Sequence, residues 1–231
     1  MNAATGAVAS NVQIGASVAR LLFEAGAVHV SRQQPFILAA GWASPAYVDC
    51  RLLIGEPQVR REITALAAGA IGTRAPAGAF DLVAGGETAG MPFATLLAEE
   101  LELPLRYVRK RPLGIGRHAQ VEGGPVEGLR ALLVDDLTTD GASKLAFARG
   151  LRAAGALVEH VLTIFHNDAF PGAIERLGEA GLALTSLAGW ADVLRTGRLA
   201  AEDRATIEHF LDDPVTWSAR HGGRGARVSR G

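Results

Sequence analysis

The sequence has one cysteine, Cys50, in 231 residues. That excludes an intrachain disulfide and a zinc site built on several cysteines, and it fits a reducing compartment. No stretch approaches the ~18 consecutive apolar residues of a membrane-spanning helix. The opening MNAATGAVASN lacks the basic start and apolar run of a secretion signal, so a cytoplasmic location without a membrane partner is expected. Net charge is nearly absent: 23 Lys and Arg stand against 24 Asp and Glu, for a formal charge of -1. No overall field draws such a chain to nucleic acid, and any anion it binds must be held locally. Lysine is scarce too, since Lys110 and Lys144 are the only two and both lie beside motifs described below. What remains is an ordinary globular composition, 48% hydrophobic and 20% charged, whose 28 glycines against 10 prolines point to a loop-rich α/β enzyme.

The apolar pattern divides the chain. Val18, Leu21, Leu22 and Ala25 fall at helical spacing in residues 14–25, followed by short extended pieces at 27–30, 35–38 and 46–49. Residues 1–55 therefore read as a helix and a small β-rich hood. From residue 56 helices and apolar strands alternate: helix 57–71, strand 81–84, helix 90–101, strands 105–108 and 131–134, helix 143–154, strand 158–165, helix 171–180 and strand 182–187, then short helices at 189–195 and 202–211. Strands apolar on both faces imply a central parallel sheet flanked by helices over 56–215. The basic, Gly-rich residues 216–231 are expected to form a flexible tail. Ligands of such sheets bind at the carboxyl ends of the strands, which directs attention to the turns there.

Four segments carry chemistry. In ALLVDDLTTDGASKLAFARGL (131–151) an apolar strand meets two acids, a Thr/Gly/Ser turn and a helix. Backbone N–H groups and hydroxyls from Thr138 to Ser143, with Gly141 permitting close approach, can cradle a phosphate at the positive end of the helix. Asp135 and Asp136 suit ribose hydroxyls or a hydrated Mg²⁺. Asp140 would repel a phosphate, so its side chain is expected to face solvent. In DLVAGGETAGMPFATLLAEEL (81–101) a second strand–turn–helix again aims free N–H groups above the sheet. PLRYVRKRPLGIGRHAQVEGGPVEG (104–128) is the most basic window of the chain and long enough for a functional loop over a polyanion. QPFILAAGWASPAYVDCRLL (34–53) has no generic mechanism of its own.

Together these strings resemble one family. VDDLTTDGAS is similar to the phosphoribosyl pyrophosphate motif of type I phosphoribosyltransferases, and GGETAGMPFA and SPAYVDCR resemble the pyrophosphate loop and the SPxYxDxR element of orotate phosphoribosyltransferases. The resemblance implies a type I phosphoribosyltransferase fold, a homodimer, Mg²⁺, and conversion of orotate and phosphoribosyl pyrophosphate to orotidine monophosphate and pyrophosphate. It places Asp135 and Asp136 at ribose and metal, the metal being held through water or substrate. Leu137, Thr138, Thr139, Asp140, Gly141, Ala142 and Ser143 surround the 5′-phosphate, with Thr139 beside the base. Glu87, Thr88 and Ala89 form the pyrophosphate loop, Arg109, Lys110 and Arg117 meet pyrophosphate, with Lys110 catalytic, and Tyr47 covers the pyrimidine.

Some positions depart from the family pattern. The mobile loop resembles R-K-x-x-K-x-H-G, yet its second lysine is Leu113 and its histidine is Ile115. Ala39, Ala89 and the pair His166–Asn167 stand where other members carry cations. A catalytically impaired binding or regulatory protein, or a transferase for another base, therefore stands as an alternative to orotate transfer.

Overall fold

A computed structural model of the chain describes residues 10–112 and 120–225. Helix α1 (Asn11–Glu24) is started by a capping box in which Gln13 N–H donates to Ser10 Oγ and Ser10 N–H donates to Gln13 Oε1. Its buried face carries Ile14, Val18, Leu21 and Leu22. The hood follows as two antiparallel pairs, β1 (Val28–Val30) with β4 (Ala46–Val48) and β2 (Phe36–Ile37) with β3 (Ala43–Ser44). A 3₁₀ turn, Cys50–Ile54, leads to α2 (Pro57–Arg74), which begins with proline where no intrahelical N–H is required.

The core alternates as expected: β5 (Leu82–Gly86), α3 (Gly90–Glu100), β6 (Leu105–Val108), β7 (Val121–Glu122), β8 (Arg130–Thr138), α4 (Ala142–Ala153), β9 (Leu157–His166), α5 (Ala173–Glu179) and β10 (Ala183–Ala188). These strands form one sheet in the order β10-β9-β8-β5-β6-β7, parallel throughout except for β7, which runs antiparallel to β6. All five residues of β5 are buried, because helices cover both faces of the sheet. Ile14, Leu22, Ile63, Phe93 and Leu97 pack with one face, while Phe147, Leu151 and Leu177 pack with the other.

Beyond the hood, two elements lie outside the sequence expectation. The two-residue β7 folds back from the basic segment and is too short to show a period of two. Beyond α6 (Trp190–Arg195) and α7 (Ala201–Asp212), an additional helix α8 (Pro214–Arg220) crosses the expected tail boundary at residue 216, capped by Asp213 accepting from Thr216 N–H. A separate aromatic cluster of Trp42, Phe170 and Phe210, with Trp217 against it, joins this C-terminal region to the hood. Among the described residues, no helix is long and apolar enough to cross a membrane.

Candidate active site

Two turns at the carboxyl ends of parallel strands, after β8 and after β5, adjoin. After β8 the chain turns through Thr139–Gly141 into α4, with Gly141 at φ 77°, a left-handed value that a side chain would strain. The N–H groups of Thr139, Asp140 and Gly141 find no acceptor among the described residues. Together with the start of α4 they form a cradle of outward-facing donors. Ala142 and Ser143 border it, exposed and half-buried respectively.

The two acids before the turn differ sharply. Asp135, expected at ribose and metal, is instead buried, its carboxylate 2.7 Å from Lys144 Nζ and accepting Asp136 N–H at 3.0 Å. Lys144, only 2% exposed, also donates to Leu137 O and lies 3.2 Å from Ser143 Oγ. It thus ties the strand end to the first turn of α4. Asp136 is half-buried, and burial together with neighbouring Asp135 pushes its carboxyl up to about 7. Of the two, Asp136 is the more exposed. Thr138 is 2% exposed, and its hydroxyl has no hydrogen-bond partner among the described residues.

Asp140 does not face solvent as expected. Its Oδ1 accepts Ala142 N–H at 3.1 Å and its Oδ2 lies 3.5 Å from Arg224, while Arg176 donates to its carbonyl at 2.6 Å.

The second turn, Glu87–Ala89, lies between β5 and α3, and its Glu87–Thr88 peptide is cis. It adjoins the first turn: a Cβ on Gly90 would meet Asp135 Cα at 2.8 Å. Glu87 Oε2 accepts Lys110 N–H at 2.9 Å, which fixes the base of the basic segment beside this turn and leaves the Lys110 side chain exposed. Arg109, expected at the pyrophosphate, is held by Glu122 of β7 through Nε and Nη2 at 2.7 and 2.6 Å. Those contacts raise the Arg109 guanidinium and lower the Glu122 carboxyl, whose largest partner is Tyr107. The Arg117, Leu113 and Ile115 positions lie outside the described residues.

Between the hood and the sheet lies a cavity of about 390 Å³. Phe36–Ala40, Tyr47 and Val48 line it on the hood side, and Leu137, Thr139, Phe165, Asn167 and Trp190 on the other. Tyr47 packs 5.9 Å from Phe36, and burial followed by the charge of Asp49 raises its phenol. The SPxYxDxR string acquires a physical reason here. Ser44 donates to Ala46 O across the Pro45 turn, and Asp49 grips Arg51 at 2.7 Å while accepting its N–H, which holds Tyr47 over the cavity. Asn167 accepts a hydrogen bond from Trp190 Nε1 at 2.8 Å, so its amide nitrogen remains a donor at the cavity wall. The described lining holds no lysine or arginine.

Sequence reasoning located the turns but missed the Lys144 pairing, the roles of Trp190 and Glu122, and Arg224. The scarcity of lysine was a signal for the first; the others are long-range contacts without a local pattern.

The chain is similar to known proteins in sequence and in fold. Residues 54–169 match the model of the phosphoribosyl transferase domain family. An orotate phosphoribosyltransferase of Sinorhizobium medicae is 48% identical over 217 residues, covering 92% of this chain and 94% of that protein. The solved orotate phosphoribosyltransferase of Aeropyrum pernix superposes with a TM-score of 0.67 at 33% identity, covering 77% of this chain and 96% of that one. The Mycobacterium tuberculosis enzyme of that name, in complex with 5-phospho-alpha-D-ribosyl 1-diphosphate, gives 0.57 at 25% identity over 78% of this chain and 98% of its own. With a cradle, a raised acid and a base-sized cavity at the strand ends, and with relatives covered almost end to end, the chain belongs to the orotate phosphoribosyltransferase family.

Proposed function

We propose that this chain transfers the phosphoribosyl group of phosphoribosyl pyrophosphate to orotate, giving orotidine 5′-monophosphate and pyrophosphate. The observation that carries this reading is the position of Thr139, which belongs to the phosphate cradle and also lines the apolar cavity. A sugar-phosphate in the cradle and a flat heterocycle in the cavity are thereby brought into contact.

N1 of orotate, having lost its proton to solvent before the transfer, bonds to C1 of the ribose while the bond from C1 to the pyrophosphate oxygen breaks. No general base is needed, and negative charge passes to the leaving group. Catalysis then rests on orientation and on positive potential fixed in advance. The N–H groups of Thr139, Asp140 and Gly141 and the start of α4 hold the 5′-phosphate, bordered by Ala142 and Ser143. Leu137 and Tyr47 flank the base. Asp136 meets the ribose. Glu87, Thr88 and Ala89 form the floor under the pyrophosphate, with Lys110 over it and Arg117 brought by the basic segment. Asp135 and Arg109 act as positioning residues, through Lys144 and Glu122.

Among the described residues no group of three or more His, Cys, Asp or Glu side chains gathers to hold a metal. Asp136 nevertheless fits Mg²⁺, an ion that keeps several waters and takes one or two carboxylates plus phosphate oxygens, and a cation beside it would relieve its raised carboxyl. When bound, the ion supplies charge neutralisation at the pyrophosphate. The reading includes a homodimer, which rests on the family resemblance, and a cytoplasmic location, which fits the single cysteine.

The test is steady-state turnover of phosphoribosyl pyrophosphate with orotate and Mg²⁺, with adenine, hypoxanthine, uracil and nicotinate in parallel. Orotate alone should be consumed. Turnover of another base in its place would overturn the reading. Light scattering during gel filtration should give twice the 24.1 kDa chain mass.

A further inference from the structure

The segment after α8 returns to the hood, and Arg224 in it lies against the phosphate cradle. Ser218, fully buried, accepts Ala43 N–H at 2.9 Å and donates to Arg224 O at 2.7 Å. Arg224 N–H donates to Gly41 O at 2.8 Å, which fixes the backbone of both segments. The Arg224 guanidinium then lies 4.5 Å over the Trp42 ring, donates to Ala40 O at 3.3 Å, and reaches Asp140 Oδ2 at 3.5 Å. Trp42 is itself stacked on Phe170 at 4.5 Å, so the platform beneath the cation is rigid.

The three partners of this guanidinium have one thing in common. Ala40 lines the base cavity, Trp42 supports the same hood hairpin, and Asp140 is a carboxylate inside the turn that would receive a phosphate. An uncompensated carboxylate there opposes a phosphate dianion, and it cannot turn away while Ala142 N–H holds it.

We propose that Arg224 is a positioning residue for substrate: it neutralises Asp140 in the phosphate cradle and, through Ala40 and Trp42, latches the hood hairpin that carries Ala40 of the base cavity to the core. This rests on the reading above that residues 139–143 take the 5′-phosphate. Arg224 itself touches no reacting atom. Its effect is to set the charge and the spacing of two subsites through one side chain contributed by the C-terminal segment.

The experiment is calorimetric binding of phosphoribosyl pyrophosphate to the full chain, with steady-state kinetics alongside. Arg224→Gln should weaken binding tenfold or more and raise KM for phosphoribosyl pyrophosphate more than it lowers kcat. Arg224→Lys should recover part of the loss. Asp140→Asn keeps an oxygen for Ala142 N–H and removes the charge, so in the Arg224→Gln background it should restore binding to within about threefold of wild type. A strap with only a structural role would lower the melting temperature without that rescue. Gly223→Ala tests the geometry separately, because a new Cβ would collide with Ala43 N and Ser218 Oγ and displace the segment. It should reproduce the loss seen with Arg224→Gln. Wild-type binding with an unaltered Arg224→Gln variant, or no rescue by Asp140→Asn, overturns the proposal and leaves the orotate reading intact. Wild type that binds no phosphoribosyl pyrophosphate overturns both.

Discussion

Replacing Lys144 by methionine, which keeps its length and removes its charge, should destabilise the protein more than any surface charge change. Lys144 and Asp135 have side chains only 3% and 8% exposed and approach to 2.7 Å. At ~4 Å between charge centres and an effective dielectric of ~20, the gross attraction is about 4 kcal/mol. Desolvation of both ions offsets much of this in the intact pair, but breaking the pair leaves a buried carboxylate uncompensated, which costs about 3–5 kcal/mol. Leu137 O and Ser143 Oγ lose the same donor. Against a total of about 5–15 kcal/mol, Lys144→Met should therefore remove a large part of the stability. In urea, with a slope near ~3 kcal/mol/M, the midpoint should fall by about 1 M or more while the slope stays constant. Lys144→Met combined with Asp135→Asn removes both charges and should recover most of the loss. A single variant within about 1 kcal/mol of wild type would refute the reasoning. So would a double variant no more stable than the single one, because the penalty would then not come from an unpaired charge.

Three other outcomes follow from the site. Asp136, its carboxyl raised to about 7, keeps a proton in the folded state that the unfolded chain has already released, so stability should fall as pH rises from about 4 to 7 and level off above. Asp136→Asn removes that penalty: it should unfold later than wild type above pH 7, by up to roughly 4 kcal/mol, match it below about pH 4, and lose turnover. Equal midpoints for the two proteins at pH 8 would contradict this. Asn167→Asp keeps an acceptor for Trp190 Nε1 but puts negative charge at the base cavity; KM for orotate should rise tenfold or more, with binding of phosphoribosyl pyrophosphate nearly unchanged. Leu113→Lys adds a cation where the family places one, and if the departing pyrophosphate lacks charge there, kcat should rise tenfold or more with little change in KM. A wild type that is already fast and insensitive to this change, yet slowed by Arg117→Ala, would assign the role to the arginine.

The fold was legible because each layer repeats its own signal. Val83, Leu132, Val134 and Leu162 pack on one face of the sheet and Leu82, Leu133 and Val161 on the other, as a covered parallel sheet requires, and the helices between them carry one apolar face. β7 is two residues long, too short to show a period of two, and α8 runs into the basic, Gly-rich residues expected to form a tail, so both were absorbed into loop and tail. The cradle was legible for a related reason. Gly141, the hydroxyl residues and the helix start are consecutive, and phosphate binding by backbone N–H groups is a local property of the chain.

Charge pairing is not local. Asp135 and Asp136 are equivalent as letters, yet one faces Lys144 inside the protein and the other is left half-buried with a raised carboxyl; only the packing of α4 against β8 separates them. Arg109 follows the same logic. It stands in the most basic window of the sequence, but Glu122, thirteen positions on in a strand too short to foresee, has already taken it. Asp140 shows the converse, a residue that sequence reasoning sends to solvent and that a cation from residue 224 allows to stay. In each case the sequence specifies which charges exist, and tertiary contacts decide which of them remain for a ligand. For a site whose substrate is a polyanion, that second decision sets affinity, so the residues that govern it include Lys144, Glu122 and Arg224, none of which lies in the turns that would touch the substrate.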